Sequence, residues 1–244
     1  MIRMQLSKRL QAVADMVTPG SRVADIGCDH AYTAAYLLSN KISPYVVAMD
    51  INRGPLERAA RNVEKFGVKD KVSIRLSDGL KMLDAGEVDT ILIAGMGGRL
   101  MLKILNDRMD IVASARELVL QPQSEIHLVR EALNNLGYAI IKENMIKEDG
   151  KYYAILKVKC NVADIDINDY RLVRPEHFYF GRRLLEERNP VMLEYLQENM
   201  KKYQKIYDSL AAKTSERAAG RLDEVAEMLG LIRTALNYYE GEEG

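Results

Sequence analysis

Short apolar segments alternate with helix-like patterns over residues 1–160. The apolar segments predict five strands, over residues 22–27, 45–51, 71–79, 88–98 and 117–123. The spacing of apolar residues between the strands predicts helices, over residues 31–40, 53–66, 99–109 and 124–135. Near-continuous apolar strands separated by helices are typical of a parallel sheet that is covered on both faces.

The two ends of this region differ from the repeating pattern. Residues 4–17 place apolar side chains on one face and predict a helix before the first strand. Residues 138–159 predict two alternating strands around Glu148-Asp149-Gly150, which is a hairpin signal. A parallel sheet that ends in an antiparallel hairpin is the arrangement of class I methyltransferases, whereas a dinucleotide-binding dehydrogenase normally keeps its last strand parallel. We therefore predict an α/β fold with a Rossmann-like class I methyltransferase sheet.

After residue 160 the alternation stops. Residues 161–169 are polar and acidic and indicate a linker. Apolar residues then recur at spacings of three and four from 193 to 210 and again from 218 to 239, which predicts an antiparallel coiled-coil hairpin. The predicted domains are a catalytic domain over residues 1–160 and an α-helical domain over residues 161–244.

Composition narrows the class of protein without naming a partner. The chain has 244 residues, 48% of them hydrophobic, and a formal net charge of zero, which is an ordinary globular balance. Cys28 and Cys160 form no CxxC pattern, so we expect neither a disulfide framework nor a metal site. No apolar run approaches the roughly 18 residues of a membrane span, and the amphipathic start does not resemble a signal peptide. We expect a cytoplasmic protein, most simply a monomer, with a dimer as the alternative.

Carboxylates stand at the ends of three successive predicted strands, as Asp25, Asp50 and Asp78. Cofactors of this sheet type bind at the carboxyl ends of the strands. Asp50 lies about 20 residues after a glycine turn, where a carboxylate accepts both ribose hydroxyls, and Asp78 is placed to accept from an adenine amino group. A single carboxylate here is equally explained by a solvated turn or a helix cap. Three carboxylates at the ends of three successive strands favour a cofactor site.

The loop after the first strand is poor in glycine. It runs Gly27-Cys28-Asp29-His30-Ala31 and keeps only the first glycine of the usual GxGxG. This argues against a pyrophosphate site, which needs free backbone N–H groups, whereas S-adenosyl-L-methionine has no phosphate. Asp29 and His30 then project beside the cofactor or the substrate base. The alternative is that Asp29 only caps the following helix.

The fourth predicted strand ends in Gly95-Met96-Gly97-Gly98. Many amino-methyltransferases of nucleic acids carry [DN]PP[FY] here, which holds an exocyclic amine. Its absence, together with three glycines, is more consistent with a ring nitrogen as methyl acceptor. A tight strand-to-helix turn explains the glycines equally well.

Several short motifs together resemble one known family. LSKRL (6–10), VADIGCDHAY (23–32), AMDI (48–51), SDGL (77–80), IAGMGG (93–98) and LQPQ (120–123) occur in this order. They resemble the bacterial tRNA (adenine-22-N1)-methyltransferase family, and the resemblance covers nearly the whole chain. It implies S-adenosyl-L-methionine as cofactor and tRNA as substrate.

The resemblance implies cofactor contact at Asp25, Gly27, Asp50, Asp78 and the Gly95-Met96 turn, and the chemistry of the expected reaction suggests roles for further residues. The residues expected to contact the cofactor are Arg9, Asp25, Gly27, Asp50, Ile51, Asp78, Gly79, Gly95 and Met96. The residues expected to act on the base are Asp29, His30 and Tyr32, with Asp29 accepting an N6 proton and Tyr32 either stacking on the ring or covering the pocket. The cations expected to contact RNA are Lys8, Arg9, Arg53, Arg99, Lys201 and Lys202, with Arg182, Arg183 and Lys205 as further candidates. For any single cation, a solvated helix face is the simpler interpretation.

Other functions are compatible with parts of this pattern. The first is a methyltransferase of small molecules, against which the long helical hairpin weighs. The second is a catalytically inactive RNA-binding module, against which the three carboxylates weigh. A nicotinamide dehydrogenase is disfavoured by the missing glycines and the terminal hairpin.

Overall fold

A computed structural model describes residues 5–212 and 216–240. The chain divides into two compact units, Met1–Arg171 and Leu172–Gly244. The segment 161–171, which we had placed with the helical domain, belongs to the first unit. Each unit is described by itself below.

The first unit contains one sheet and the helices that cover it. Its strands are β1 (Val23–Ile26), β2 (Val46–Asp50), β3 (Val72–Leu76), β4 (Thr90–Met96), β5 (Glu117–Pro122), β6 (Ala139–Glu148) and β7 (Lys151–Lys159). Its helices are α1 (Lys8–Ala14), α2 (Tyr32–Ser39), α3 (Arg53–Lys65), α4 (Gly98–Asp107), α5 (Met109–Ser114) and α6 (Ile126–Asn135), with short 3₁₀ turns at Lys69–Lys71 and Ile167–Asp169.

The strand order is β3-β2-β1-β4-β5-β7-β6. The first five strands pair in parallel, and β7 joins β5 in an antiparallel register. The chain leaves β1 towards one edge of the sheet and returns at β4 towards the other. This is a topological switch point, where a crevice opens at the carboxyl ends of the strands. The predicted fold class is confirmed.

Burial explains why the strand sequences are so apolar. Every residue of β1 and of β5 is buried, as are the first four residues of β4, because helices cover both faces of the parallel part of the sheet. The β6–β7 hairpin turns at Asp149 and Gly150, which both have positive φ, 50° and 73°. Both central residues of a type I′ turn need such φ values, and Asp-Gly supplies them at low cost.

Several boundaries differ from those predicted. Helix α1 begins at Lys8, where the Ser7 hydroxyl accepts from the Leu10 N–H, and ends at Ala14, so the predicted range 4–17 was too long; residue 4 lies outside the described residues. Strand β3 ends at Leu76, which leaves Asp78 in the loop beyond it. Helix α5 was not predicted.

In the described part of the second unit, all the regular elements are helices. A π-helical turn at His177–Gly181 leads into α7 (Arg182–Glu186), followed by α8 (Pro190–Ala211) and α9 (Glu216–Leu236). The two long helices pack against each other, with α9 burying Val225, Leu229 and Ile232, which the heptad pattern had placed on the seam. The predicted connection falls partly on 213–215, outside the described residues. No helix in either described range is long and apolar enough to cross a membrane.

Candidate functional site

A cavity of about 240 Å³ opens at the carboxyl ends of β1 and β4, where the switch point of the sheet leads us to expect a ligand site. Its walls come from α1, from the loop between β1 and α2, and from the ends of β4 and β5. The lining residues are Arg9, Leu10, Asp25, Gly27, Cys28, Asp29, His30, Tyr32, Thr33, Ala94, Gly95 and Gln123.

The β1–α2 loop turns tightly against the sheet. The N–H groups of Gly27 and Cys28 both donate to the Met49 carbonyl oxygen, at 2.8 and 2.9 Å. Gly27 has φ +72°, and a Cβ there would collide with Cε of Met96. Asp29 and Ala31 have φ values of 48° and 54°, which non-glycine residues seldom adopt. Such strained conformations cluster at functional sites, because the surrounding structure must hold them.

Asp25 is a buried carboxyl group in the wall of this cavity. It is 4% exposed, and its Oδ2 has no hydrogen-bond partner among the described residues. Burial raises the pKa of Asp25 to about 7, outweighing the nearby Ala34 N–H in the first turn of α2, which favours the charged form. A buried carboxyl with an unused oxygen suits a cationic or hydrogen-bond-donating ligand group.

Asp50 is held in place by backbone donors. Its Oδ1 accepts from the Asn52 N–H at 2.9 Å, and its Oδ2 lies 3.4 Å from the Asp29 N–H. A carboxylate accepts more hydrogen bonds than these two, so Asp50 keeps capacity for a ligand. The prediction that Asp50 terminates its strand is confirmed, since β2 ends at this residue.

The Asp29 side chain points into solvent rather than into a helix cap. It is 66% exposed, with Oδ1 3.5 Å from Nε2 of His30 and 4.0 Å from Nη2 of Arg58. The N-cap of α2 is Ala31, and no side chain bonds to the cap. The capping role that we had left open for Asp29 is therefore wrong, and its carboxylate is available at the cavity.

His30 and Tyr32 form a small aromatic wall. Their ring centroids are 5.6 Å apart with an angle of 32° between the planes, and Tyr32 is 43% exposed. The His30 carbonyl accepts from the Asn62 side-chain amide at 2.9 Å, which anchors the loop to α3. An exposed ring at the mouth of a cavity can stack on a flat ligand.

The end of β4 carries an irregularity that sequence reasoning missed. The β4–β5 register shifts between Ala94 and Met96, so Gly95 is an extra residue with φ +80°. Its N–H donates to Oε1 of Gln121 at 3.1 Å, and Nη1 of Arg9 donates to the same oxygen at 2.8 Å. Gln121 is fully buried. The only sequence signal for it was its place in the LQPQ motif.

Five cofactor candidates lie outside the cavity lining: Asp50 and Met96, described above, and Ile51, Asp78 and Gly79. Ile51 is 61% exposed, directly after β2. Asp78 forms an ion pair with Lys81, which lowers the pKa of Asp78. A Cβ at Gly79 would come within 3.0 Å of Ile104 Cγ2, so the backbone there packs closely against α4. Ile51 follows β2, and Asp78 and Gly79 follow β3, so all three lie on the same side of β1 in the strand order.

The predicted RNA contacts are distributed over both units. In the first unit Lys8 and Arg53 are exposed at helix starts, whereas Nε of Arg99 donates to Oε1 of Glu125 at 2.8 Å. In the second unit Lys201 and Lys202 are exposed on α8. The further candidates Arg182 and Arg183 both pair with Glu186, and Lys205 is exposed.

The described residues contain neither a metal-binding cluster nor an activated cysteine. Within the described ranges, no group of three or more His, Cys, Asp or Glu side chains could hold a metal ion. Burial raises the pKa of the Cys28 thiol well above its usual value and that of Cys160 to about 12, so neither thiol is a ready nucleophile.

Comparisons with known proteins show the family of the chain. Residues 6–156 match the methyltransferase domain family. The chain is 35% identical over 239 residues to the tRNA (adenine(22)-N(1))-methyltransferase of Bacillus subtilis, covering 98% of this chain and 100% of that one.

Solved structures lead to the same family. The crystal structure of the B. subtilis m1A22 tRNA methyltransferase TrmK has a TM-score of 0.84 and 34% identity, covering 96% of this chain and 100% of that one. Sp1610 of Streptococcus pneumoniae, solved with S-adenosyl-L-methionine, has a TM-score of 0.81 and 30% identity, covering 95% and 100%. The chain belongs to the tRNA (adenine(22)-N1)-methyltransferase family.

Proposed function

We propose that this protein transfers the methyl group of S-adenosyl-L-methionine to N1 of an adenine in tRNA, of the position-22 type that its relatives are named for. One observation carries the cofactor assignment: a buried carboxyl, Asp25, and a guanidinium, Arg9, line the same cavity. The methionine part of the cofactor is a zwitterion, with one ammonium and one carboxylate. The two side chains match these two charges.

The methionine end of the cofactor would lie in this cavity. The unpartnered Oδ2 of Asp25 accepts from the ammonium group, and Arg9, whose Nη1 is already bonded to Gln121, turns its other donors to the carboxylate. Gly27 lets the backbone approach closely, since even a methyl group there would collide with Met96.

The adenosine end would extend past the ends of β2 and β3. Asp50, oriented by the N–H groups of Asn52 and Asp29, accepts the ribose hydroxyls. The exposed Ile51 covers one face of the adenine ring. Asp78 accepts from the adenine amino group, for which it must share its carboxylate with Lys81.

When bound, the cofactor would supply an electrophilic methyl group on a sulfonium; in-line attack of the N1 lone pair on the methyl carbon would break its bond to sulfur, which would leave as a neutral thioether. The protein positions the two partners, an effect that contributes about 7–11 kcal/mol in well-aligned reactions. The positive charge appears on the base. The exposed Asp29 carboxylate stabilises this charge and accepts a proton from N6, while Tyr32 stacks on the ring.

The RNA would be held by cations of both units. Lys8 begins α1, Arg53 and Arg99 lie in the first turns of the helices that follow β2 and β4, and Lys201 and Lys202 lie on α8. Arg99 must exchange its bond to Glu125 for a phosphate, so its contribution should be smaller than that of Arg53. We further propose that the protein acts as a monomer in the cytoplasm, where tRNA is available; light scattering with and without tRNA tests the oligomeric state.

The decisive test is methylation of tRNA in vitro, with mass spectrometry to locate the new methyl by nucleotide and ring position. Methyl on N1 of one adenine is expected. Methylation of small molecules only, or cofactor binding without transfer, would favour the small-molecule enzyme or the inactive module.

Asp29→Asn tests the role of the loop in the same assay. Asparagine tolerates the left-handed φ of this position, so the loop is retained while the charge is lost. We expect turnover to fall about 10²-fold, with S-adenosyl-L-methionine affinity unchanged. Asp70→Asn, exposed near the amino end of β3, is the matched control. Normal turnover of the Asp29 variant would remove it from the reaction.

A further inference from the structure

Two glutamine side chains flank Gly95 at the edge of the cavity. A Cβ built on Gly95 would lie 3.6 Å from Nε2 of Gln123 and 3.5 Å from Nη1 of Arg9. The Gln123 N–H donates to the Met96 carbonyl oxygen at 2.8 Å, which fixes its backbone across from the glycine turn. The absence of a side chain at Gly95 leaves this face of the cavity open to a flat group.

The two amides differ in what they already bind. Oε1 of Gln121 accepts from Arg9 and Gly95, and its Nε2 donates to the Pro122 carbonyl oxygen at 3.1 Å. Gln121 is therefore engaged at both ends and fully buried. The Gln123 side chain lines the cavity and makes no hydrogen bond to any described residue. It presents one free donor and one free acceptor to a ligand.

We propose that Gln123 is the specificity-determining residue for the methyl-accepting adenine and binds its N6/N7 edge. Oε1 accepts one N6 proton, and Nε2 donates to N7, which is the bidentate pairing of an amide with adenine. This edge does not include N1, so the lone pair that attacks the methyl group stays free. The inference rests on the proposed function and assigns the recognition of the base within it.

The pairing is compatible with the other groups of the cavity. The N6 amino group has two protons, one on the N7 side and one on the N1 side. Gln123 takes the first, and the exposed carboxylate of Asp29 can take the second as N1 becomes cationic. Guanine presents acceptors at both O6 and N7, so it would leave Oε1 of Gln123 facing an oxygen. The same amide thus explains a preference for adenine.

A cycle of two changes tests the pairing. The wild-type protein and Gln123→Ala are each assayed on tRNA carrying adenine or 7-deazaadenine at the target position. 7-Deazaadenine lacks the N7 acceptor but keeps N6 and N1. For the wild type, we expect kcat/KM to be about tenfold lower on the 7-deazaadenine tRNA than on the adenine tRNA. For Gln123→Ala, we expect kcat/KM on the adenine tRNA to be about tenfold below the wild-type value and to fall little further on the 7-deazaadenine tRNA. Any change in the intrinsic reactivity of N1 affects both proteins equally and cancels.

Further readouts separate recognition from structure. The dissociation constant for S-adenosyl-L-methionine and the Tm should be unchanged in Gln123→Ala, because the side chain is exposed. Gln123→Glu, which can accept from N6 but repels N7, should tolerate 7-deazaadenine better than adenine. Equal analogue penalties in both proteins, or full activity of Gln123→Ala, would overturn the assignment while the proposed function stands. An inactive wild type on unmodified tRNA would overturn both.

Discussion

The guanidinium of Arg9, on the first helix, is bonded to the buried amide of Gln121 at the end of β5, with Nη1 2.8 Å from Oε1. The same Oε1 accepts from the Gly95 N–H, and the guanidinium lies 5.7 Å from the centroid of the Tyr153 ring. One amide oxygen therefore ties three distant segments together at the cavity. Arg9 is thereby preorganised to meet an anionic group.

Replacing Gln121 should weaken cofactor binding. Gln121→Leu leaves both Arg9 and the Gly95 N–H without their acceptor, and losing a hydrogen bond to a charged group costs about 1.5–3 kcal/mol. We expect the affinity for S-adenosyl-L-methionine to fall at least about tenfold, as measured by titration calorimetry. Gln121→Glu, which keeps the acceptor, should restore part of it. Because the two residues act together, Arg9→Leu combined with Gln121→Leu should be little worse than Arg9→Leu alone; additive losses would contradict the coupling.

Cofactor affinity should depend on the ionisation of Asp25. The pKa of Asp25 is about 7 in the free protein, and binding of an ammonium group favours the carboxylate. The bound complex therefore has a lower pKa, so affinity should decline as pH falls below about 7, by up to about tenfold per pH unit. Calorimetry between about pH 5.5 and 8.5 measures this. Asp25→Asn should bind S-adenosyl-L-methionine weakly, with an affinity that does not change with pH. If the affinity of this variant still depends on pH, a group other than Asp25 is responsible.

The buried carboxylate of Asp25 should lower the free energy of unfolding of the cofactor-free protein at high pH. The pKa of Asp25 in the folded state is raised above the ordinary aspartate value of 3.8, so the folded state holds the proton more tightly. The associated stability is present below the unfolded pKa and is lost as pH rises through about 7. Asp25→Asn should therefore raise the Tm of the cofactor-free protein at about pH 8 and change it little at about pH 4. A variant that is less stable at the higher pH would show that the carboxylate has a partner.

Lys201 and Lys202 should act on tRNA binding and not on chemistry. Both are exposed on α8, and each phosphate contact contributes to the salt dependence of binding. Lys201→Ala with Lys202→Ala should raise the KM for tRNA and reduce the slope of log affinity against log salt by about one to two. The matched control is Lys69→Ala with Lys71→Ala, which are exposed near the amino end of β3. Equal effects in the two pairs would mean that only overall charge matters.

The amino-acid sequence by itself determined the fold and the cofactor class. Strand periodicity, the Asp-Gly hairpin and the heptad pattern are local signals, and the predicted strands and long helices formed close to them, although α1 is shorter than its pattern and α5 had no signal. The carboxylates Asp25, Asp50 and Asp78 follow from chain order, because successive strands of a parallel sheet end at the same edge. The family motifs indicated the methyl acceptor, which composition and periodicity did not.

Only the tertiary structure decided which partners each residue at the carboxyl edge of the sheet has and how deeply it is buried. The Gln121 bridge depends on the β4–β5 register and on the extra residue Gly95, which no local pattern reports. Asp29 does not cap α2, because Ala31 takes the N-cap position. Arg99 pairs with the carboxylate of Glu125, the N-cap residue of α6. Asp25 and Asp50 both stand at strand ends in the sequence. Burial raises the pKa of Asp25, whereas Asp50 accepts hydrogen bonds from backbone N–H groups. Burial and hydrogen bonding are properties of neighbours brought together by folding, so they cannot be read from the order of residues alone.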